Sequence, residues 1–139
     1  MIAYTCDRFA DVLSDLDESP TLFWLDAHFP GADYGPAGYG AEPDIDKRLP
    51  MEKELRIMKE NRDLSKDVIF MDDLRIYVDR EFTAGNWAQR KLYGADGYDF
   101  VEEIIGDTHV LIEHLADQGY LLAFPIGTTE EQIVEIAQL

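Results

Sequence analysis

The chain has 139 residues, one domain's worth, and 46% of them are hydrophobic, enough to build a core and too many for wholesale disorder. Against 12 Lys and Arg stand 29 Asp and Glu, a net charge of −17 whose field repels nucleic acid and anionic membrane surfaces and suits divalent cations or a cationic partner. Cys6 is the single cysteine, which excludes an intrachain disulfide and a thiolate-built metal site; with no apolar run near the roughly 18 residues of a membrane span and no secretion-signal layout in Met1-Ile2-Ala3-Tyr4, a reducing, cytoplasmic setting is expected.

In chain order, residues 6–16 place Phe9, Val12, Leu13 and Leu16 at helical spacing, with Thr5 available as a cap and Pro20 beyond the end. Residues 21–29 carry the unbroken apolar run Leu22-Phe23-Trp24-Leu25, the pattern of a strand covered on both faces, as in a parallel sheet. Residues 30–46 hold four glycines and three prolines and read as a long loop. Pro50 can open the next helix, in which Met51, Leu55 and Met58 share a face. After a turn at 61–66, residues 67–72 repeat the buried-strand pattern with Val68-Ile69-Phe70-Met71. Residues 78–99 are polar and read as irregular, followed by a short helix from Phe100 to Ile105 that Gly106 closes. Residues 108–114 and 119–126 form an antiparallel hairpin across Leu115–Gln118, with Pro125 suited to an outer position late in its strand. Thr128 or Thr129 caps a last helix over 130–138, with Ile133, Ile136 and Ala137 on its apolar face. Strands alternating with helices predict an α/β fold, partly parallel and finished by an antiparallel pair, over residues 1–139 as a single domain.

The residues with chemical content follow the two apolar strands. Asp26 and His28 come after the first, Asp72 and Asp73 after the second, and ligands of open α/β sheets bind beyond the carboxyl ends of strands. If the strands are neighbours, these carboxylates converge and need a proton or a cation; three oxygen donors suit Mg²⁺ or Mn²⁺, and His28 could join a softer Zn²⁺ or Fe²⁺ site. Equally, such aspartates accept backbone N–H bonds in turns, and Asp73 has Arg75 in reach as a salt-bridge partner. Arg75 itself suits a carboxylate or phosphate ligand as well as that salt bridge. His109 and Glu113 alternate onto one strand face as a surface pair, with His114 on the other, and Tyr34 and Tyr39 are placed to cover a ligand or to pack. The loop glycines 31, 35, 38 and 40 lack dinucleotide-binding spacing, and neither a P-loop nor a nucleophile elbow occurs.

Taken together, FWLDAHFPGADYG, the helix opening PMEKEL and the strand VIFMDDLRIY resemble the C-terminal half of class I S-adenosylmethionine-dependent methyltransferases, over roughly residues 5–126. The resemblance implies a truncated Rossmann-like sheet with a terminal antiparallel pair. It implies Mg²⁺ or Mn²⁺ held by Asp26, Asp72 and Asp73 against acceptor hydroxyls, with His28 as base or ligand. The family's glycine-rich cofactor loop and ribose-binding acid have no counterpart here, and residues 1–5 read at most as a stub of the preceding strand. The expectation is therefore a methyltransferase-like protein whose S-adenosylmethionine pocket is incomplete within this chain. Its open sheet edge is then covered by a homodimer, by a complementary chain or by divergent extra structure. Two other readings stand beside it: a non-catalytic subunit or interaction domain, and a different divalent-metal enzyme such as a hydrolase.

Overall fold

The structure, a computed structural model, describes residues 6–26, 43–85 and 97–137. Five α-helices are present among them: α1 (Cys6–Asp15), α2 (Ile45–Arg48), α3 (Met51–Asn61), α4 (Asp99–Ile105) and α5 (Glu130–Ala137). The strands are β1 (Leu22–Leu25), β2 (Val68–Met71), β3 (His109–His114) and β4 (Tyr120–Pro125), with short 3₁₀ turns at Leu64–Lys66 and Leu74–Ile76. No helix among the described residues is long and apolar enough to cross a membrane.

Local chemistry sets the helix ends. Pro50 takes the cap position of α3 and not its first helical one; its carbonyl receives the Glu54 N–H at 2.9 Å, where a missing proline N–H costs nothing. Met51, Leu55 and Met58 lie on the buried stripe of that helix as their spacing predicts. Ahead of α5, Thr129 and Gln132 cap each other: the Gln132 N–H donates to Thr129 Oγ1 at 3.3 Å and the Thr129 N–H donates to Gln132 Oε1 at 2.9 Å. Thr128 instead turns its hydroxyl to the Pro125 carbonyl. Residues 45–48, of which 45 and 46 fall in the long loop expected from composition, form a helical turn because the Asp44 side chain accepts the Asp46 N–H at 3.1 Å.

Among the described residues the sheet has four strands in the order β1-β2-β4-β3. β1 and β2 are parallel, with Leu25 opposite Met71, and both pairings of β4 are antiparallel. The chain is thus a mixed α/β fold, partly parallel and partly antiparallel. On one face, Phe23, Leu25, Ile69, Met71, Leu121 and Ala123 belong to the main core with residues of α1, α3 and α4. On the other face, Phe70, Leu122 and Phe124 form a smaller core with Ile133 and Ile136 of α5.

Two expectations change in this topology. The run at 22–25 was expected to be covered on both faces, yet β1 alternates: Phe23 and Leu25 are buried, while Leu22 and Trp24 are 46% and 53% exposed. β1 ends the sheet among the described residues, and α5 sits over β2 and β4 instead. Of the two apolar runs, β2, in the interior, is the one with the two-sided cover its sequence suggests. Pro125 belongs to an interior strand and not an outer one; it is tolerated because the ladder to β2 runs only as far as Ala123, and Pro125 lies opposite only His109 of β3.

Candidate functional site

The in-register parallel pair brings two of the predicted acids side by side. The ladder extends one residue past β2, where the Asp72 N–H donates to the Leu25 carbonyl at 2.9 Å, so Asp26 and Asp72 leave adjacent strands at the same level. Asp26, Asp72 and Asp73 line one small cavity with Leu49, Met51, Ile76 and Tyr77; its volume, about 10 Å³, is room for one water at most.

Asp73 reaches that cavity through a backbone twist. Its φ of 54° and ψ of 43° are left-handed, a conformation aspartate tolerates better than most side chains. Its N–H donates to Asp72 Oδ1 at 2.7 Å, and its buried carboxylate lies 3.6 Å from Arg75 Nε. Arg75 also donates to Gln118 Oε1 and, at 3.4 Å, to the Gly85 carbonyl. Of the two roles open to Arg75 in the sequence, these contacts show the salt bridge, as a strut from the end of β2 to the β3–β4 turn.

Asp72 carries the electrostatic tension of the site. Burial pushes its carboxyl up to about 6; the Asp73 N–H opposes this, the charges of Asp26 and Asp73 add to it, and a hydrogen bond from the Trp24 side chain lowers it again. A carboxyl raised in the folded state stabilises the fold fully below its unfolded value near 3.8, and that contribution disappears as pH rises to about 6. Asp72→Asn is accordingly expected to stabilise the protein at pH 7 by about 1 kcal/mol, after discounting for partial solvent exposure, and to leave stability at pH 3.5 nearly unchanged. Urea titrations of parent and variant at the two pH values check this; equal differences at both would remove the charge explanation.

Among the described residues, no group of three or more His, Cys, Asp or Glu side chains is arranged to hold a metal ion. Asp73 is turned toward Arg75, and His28, Tyr34 and Tyr39 lie outside the described residues. A much larger groove, about 760 Å³, runs between α2, α3 and α4; it shares Leu49 and Tyr77 with the acid-lined cavity, though none of Asp26, Asp72 and Asp73 lines it. It is lined by side chains of both charges, among them Arg56, which is already bound to Glu52 at 2.8 Å.

His109 and Glu113 do share a strand face, but they do not pair as a surface couple. His109 is buried, with Nε2 3.0 Å from the Asp67 carbonyl and Nδ1 2.9 Å from Thr108 Oγ1. Glu113 accepts both Arg80 donors at 2.7 and 2.9 Å and the Tyr98 hydroxyl at 2.8 Å, and the Arg80 guanidinium holds its carboxyl below the ordinary range. No motif in the sequence marks the aromatic row beside Asp72: Trp24 lies 5.7 Å from Tyr120, edge to face, and Tyr120 lies 6.0 Å from His114. Alternation in GYLLAF places Tyr120 with Leu122 and Phe124, but an unbroken LFWL run hides the open side of Trp24.

No protein-family model matches the chain, and neither the curated proteins nor the solved structures contain a match to it.

Proposed function

We propose that the chain is a methyltransferase-like α/β unit of the truncated Rossmann type, acting as the acceptor half of a metal-assisted O-methyltransferase. The supporting observation is the position of Asp26 and Asp72: two carboxylates at one level beyond the carboxyl ends of a parallel pair, with Asp72 held in a state that a proton or a cation relieves. The antiparallel pair that completes the sheet is the second feature expected of that fold. The donor set is hard oxygen, which fits Mg²⁺ or Mn²⁺.

On this reading Asp26 and Asp72 hold the cation, and Asp73, its own carboxylate beside Arg75, fixes the Asp72 carboxylate through its N–H. Bound there, the divalent ion supplies a lowered pKa and a fixed orientation for an acceptor hydroxyl. His28 is the candidate base. S-adenosylmethionine is bound in a pocket completed by a second copy or a complementary chain along β1. A non-catalytic interaction module is the competing reading, favoured by the half-covered sheet face at Trp24.

Isothermal titration with Mn²⁺ and Mg²⁺, followed by S-adenosylmethionine, tests the proposal. The expected result is metal binding weakened at least tenfold by Asp26→Asn or Asp72→Asn, and cofactor heat only from an oligomer. A folded chain that binds neither metal nor cofactor at any oligomeric state overturns it.

A further inference from the structure

Among the described residues, the face of the sheet that carries α5 is covered over only part of its width. Phe70, Leu122 and Phe124 lie with Ile133 and Ile136 of α5, whereas Leu22 and Trp24 on β1 stay about half exposed and His114 is exposed at the far end of β3. What borders this open strip gives its chemistry. Trp24 and Tyr120 stand edge to face at 5.7 Å, and Asp72 accepts a hydrogen bond from the Trp24 side chain. Asp26 follows β1 and is exposed, and Asp117 Oδ2 lies 3.5 Å from the Tyr120 hydroxyl. The strip is therefore an aromatic surface with a carboxylate rim, on a chain of net charge −17.

We infer that this strip, around Trp24 and Tyr120 and rimmed by Asp26, Asp72 and Asp117, is a docking surface for an arginine-bearing segment of a basic partner protein. A guanidinium is planar and weakly hydrated, stacks on tryptophan and tyrosine, and pairs with carboxylates through a fixed fork of donors. The strip offers both elements within one side chain's reach. A second copy of the chain seated face to face is the wrong occupant, since it would set two carboxylate rims of like charge against each other. This inference goes beyond the methyltransferase reading and does not rest on it, but it draws on the same Asp26 and Asp72, so a bound cation and the guanidinium would compete for them.

The experiment is isothermal titration of the full chain, in EDTA, with hexa-arginine and with hexacitrulline, its uncharged analogue. Hexa-arginine is expected to bind and hexacitrulline to fail. Trp24→Leu keeps every charge and removes the stacking surface; it is expected to weaken hexa-arginine binding about fivefold, and Asp72→Asn about tenfold. Glu103→Gln removes one exposed charge on α4, which packs on the opposite face of the sheet, and is expected to change affinity less than twofold. If Trp24→Leu and Glu103→Gln bind hexa-arginine as the parent does, attraction is diffuse and the site is overturned. A dimer that dissociates on Trp24→Leu gives the strip to a second copy and also overturns it. Because metal is excluded throughout, failure here leaves the metal and cofactor titrations to decide the methyltransferase reading separately.

Discussion

Arg62→Leu is expected to cost the fold about 3–5 kcal/mol, a large share of what holds a domain of this size together. Arg62 and Asp67 have side chains only 3% and 1% exposed, joined by contacts of 2.7 and 3.1 Å. The same guanidinium donates to the carbonyls of Asp17 at 2.6 Å and Ser19 at 2.7 Å and lies over the Phe23 ring, while Asp67 also accepts the Thr21 N–H at 2.9 Å. The hydrogen bond to Asp67 raises the guanidinium's pKa further, against the pull of its burial, so it stays charged at any working pH. Removing it leaves the Asp67 charge buried without its counterion. A second substitution tests the cause: Asp67→Asn keeps an acceptor for Thr21 and removes the charge, so the double variant Arg62→Leu/Asp67→Asn should recover more than half of the loss. Urea unfolding measures both, and an Arg62→Leu variant within 1 kcal/mol of the parent, or a double variant no better than the single, would sink the argument.

Gly119→Ala should come next in severity, at about 2–4 kcal/mol, from two separable causes. Gly119 has φ of +84°, and a Cβ there would sit 2.3 and 2.6 Å from ring carbons of Phe82 and 3.2 Å from Leu74 Cβ. Backbone movement is resisted, because the Gly119 carbonyl receives the Leu74 N–H at 2.9 Å and the neighbouring Gln118 carbonyl receives that of Arg75 at 3.1 Å. Gly127 separates strain from clash: its φ is +99° with nothing within 4 Å of an added Cβ, so Gly127→Ala should cost only about 1 kcal/mol. Comparable losses at 119 and 127 in thermal unfolding would mean that the close approach of Phe82 contributes nothing.

The local pattern is legible in the sequence where one residue's neighbours along the chain decide its fate. The α3 stripe of Met51, Leu55 and Met58, the Thr129–Gln132 cap and the antiparallel hairpin belong to this class. Pairing across the sheet is another matter. LFWL and VIFM look alike as apolar runs, yet among the described strands one lies at the end of the sheet and the other in its interior, a difference set by β4 returning between β2 and β3. The same non-locality hides the buried role of His109, whose acceptor belongs to Asp67, 42 positions earlier. At the site, the strand-end rule is enough to bring Asp26 and Asp72 together. The turning of Asp73 toward Arg75 depends on a left-handed backbone that composition alone does not announce.

The strand order also dictates a timetable. β2 is flanked by β1 and by β4, and about fifty residues of chain separate the end of β2 from the start of β4. During synthesis the apolar β1–β2 pair must therefore leave the ribosome and wait, one flank of β2 open, until the hairpin has emerged. At roughly 5–20 residues per second that is an interval of several seconds, long compared with hydrophobic collapse and ample for capture by a holdase chaperone. Nascent chains stalled before residue 120 should be protease-sensitive throughout β2, and protection should appear in one step once β4 is free to insert.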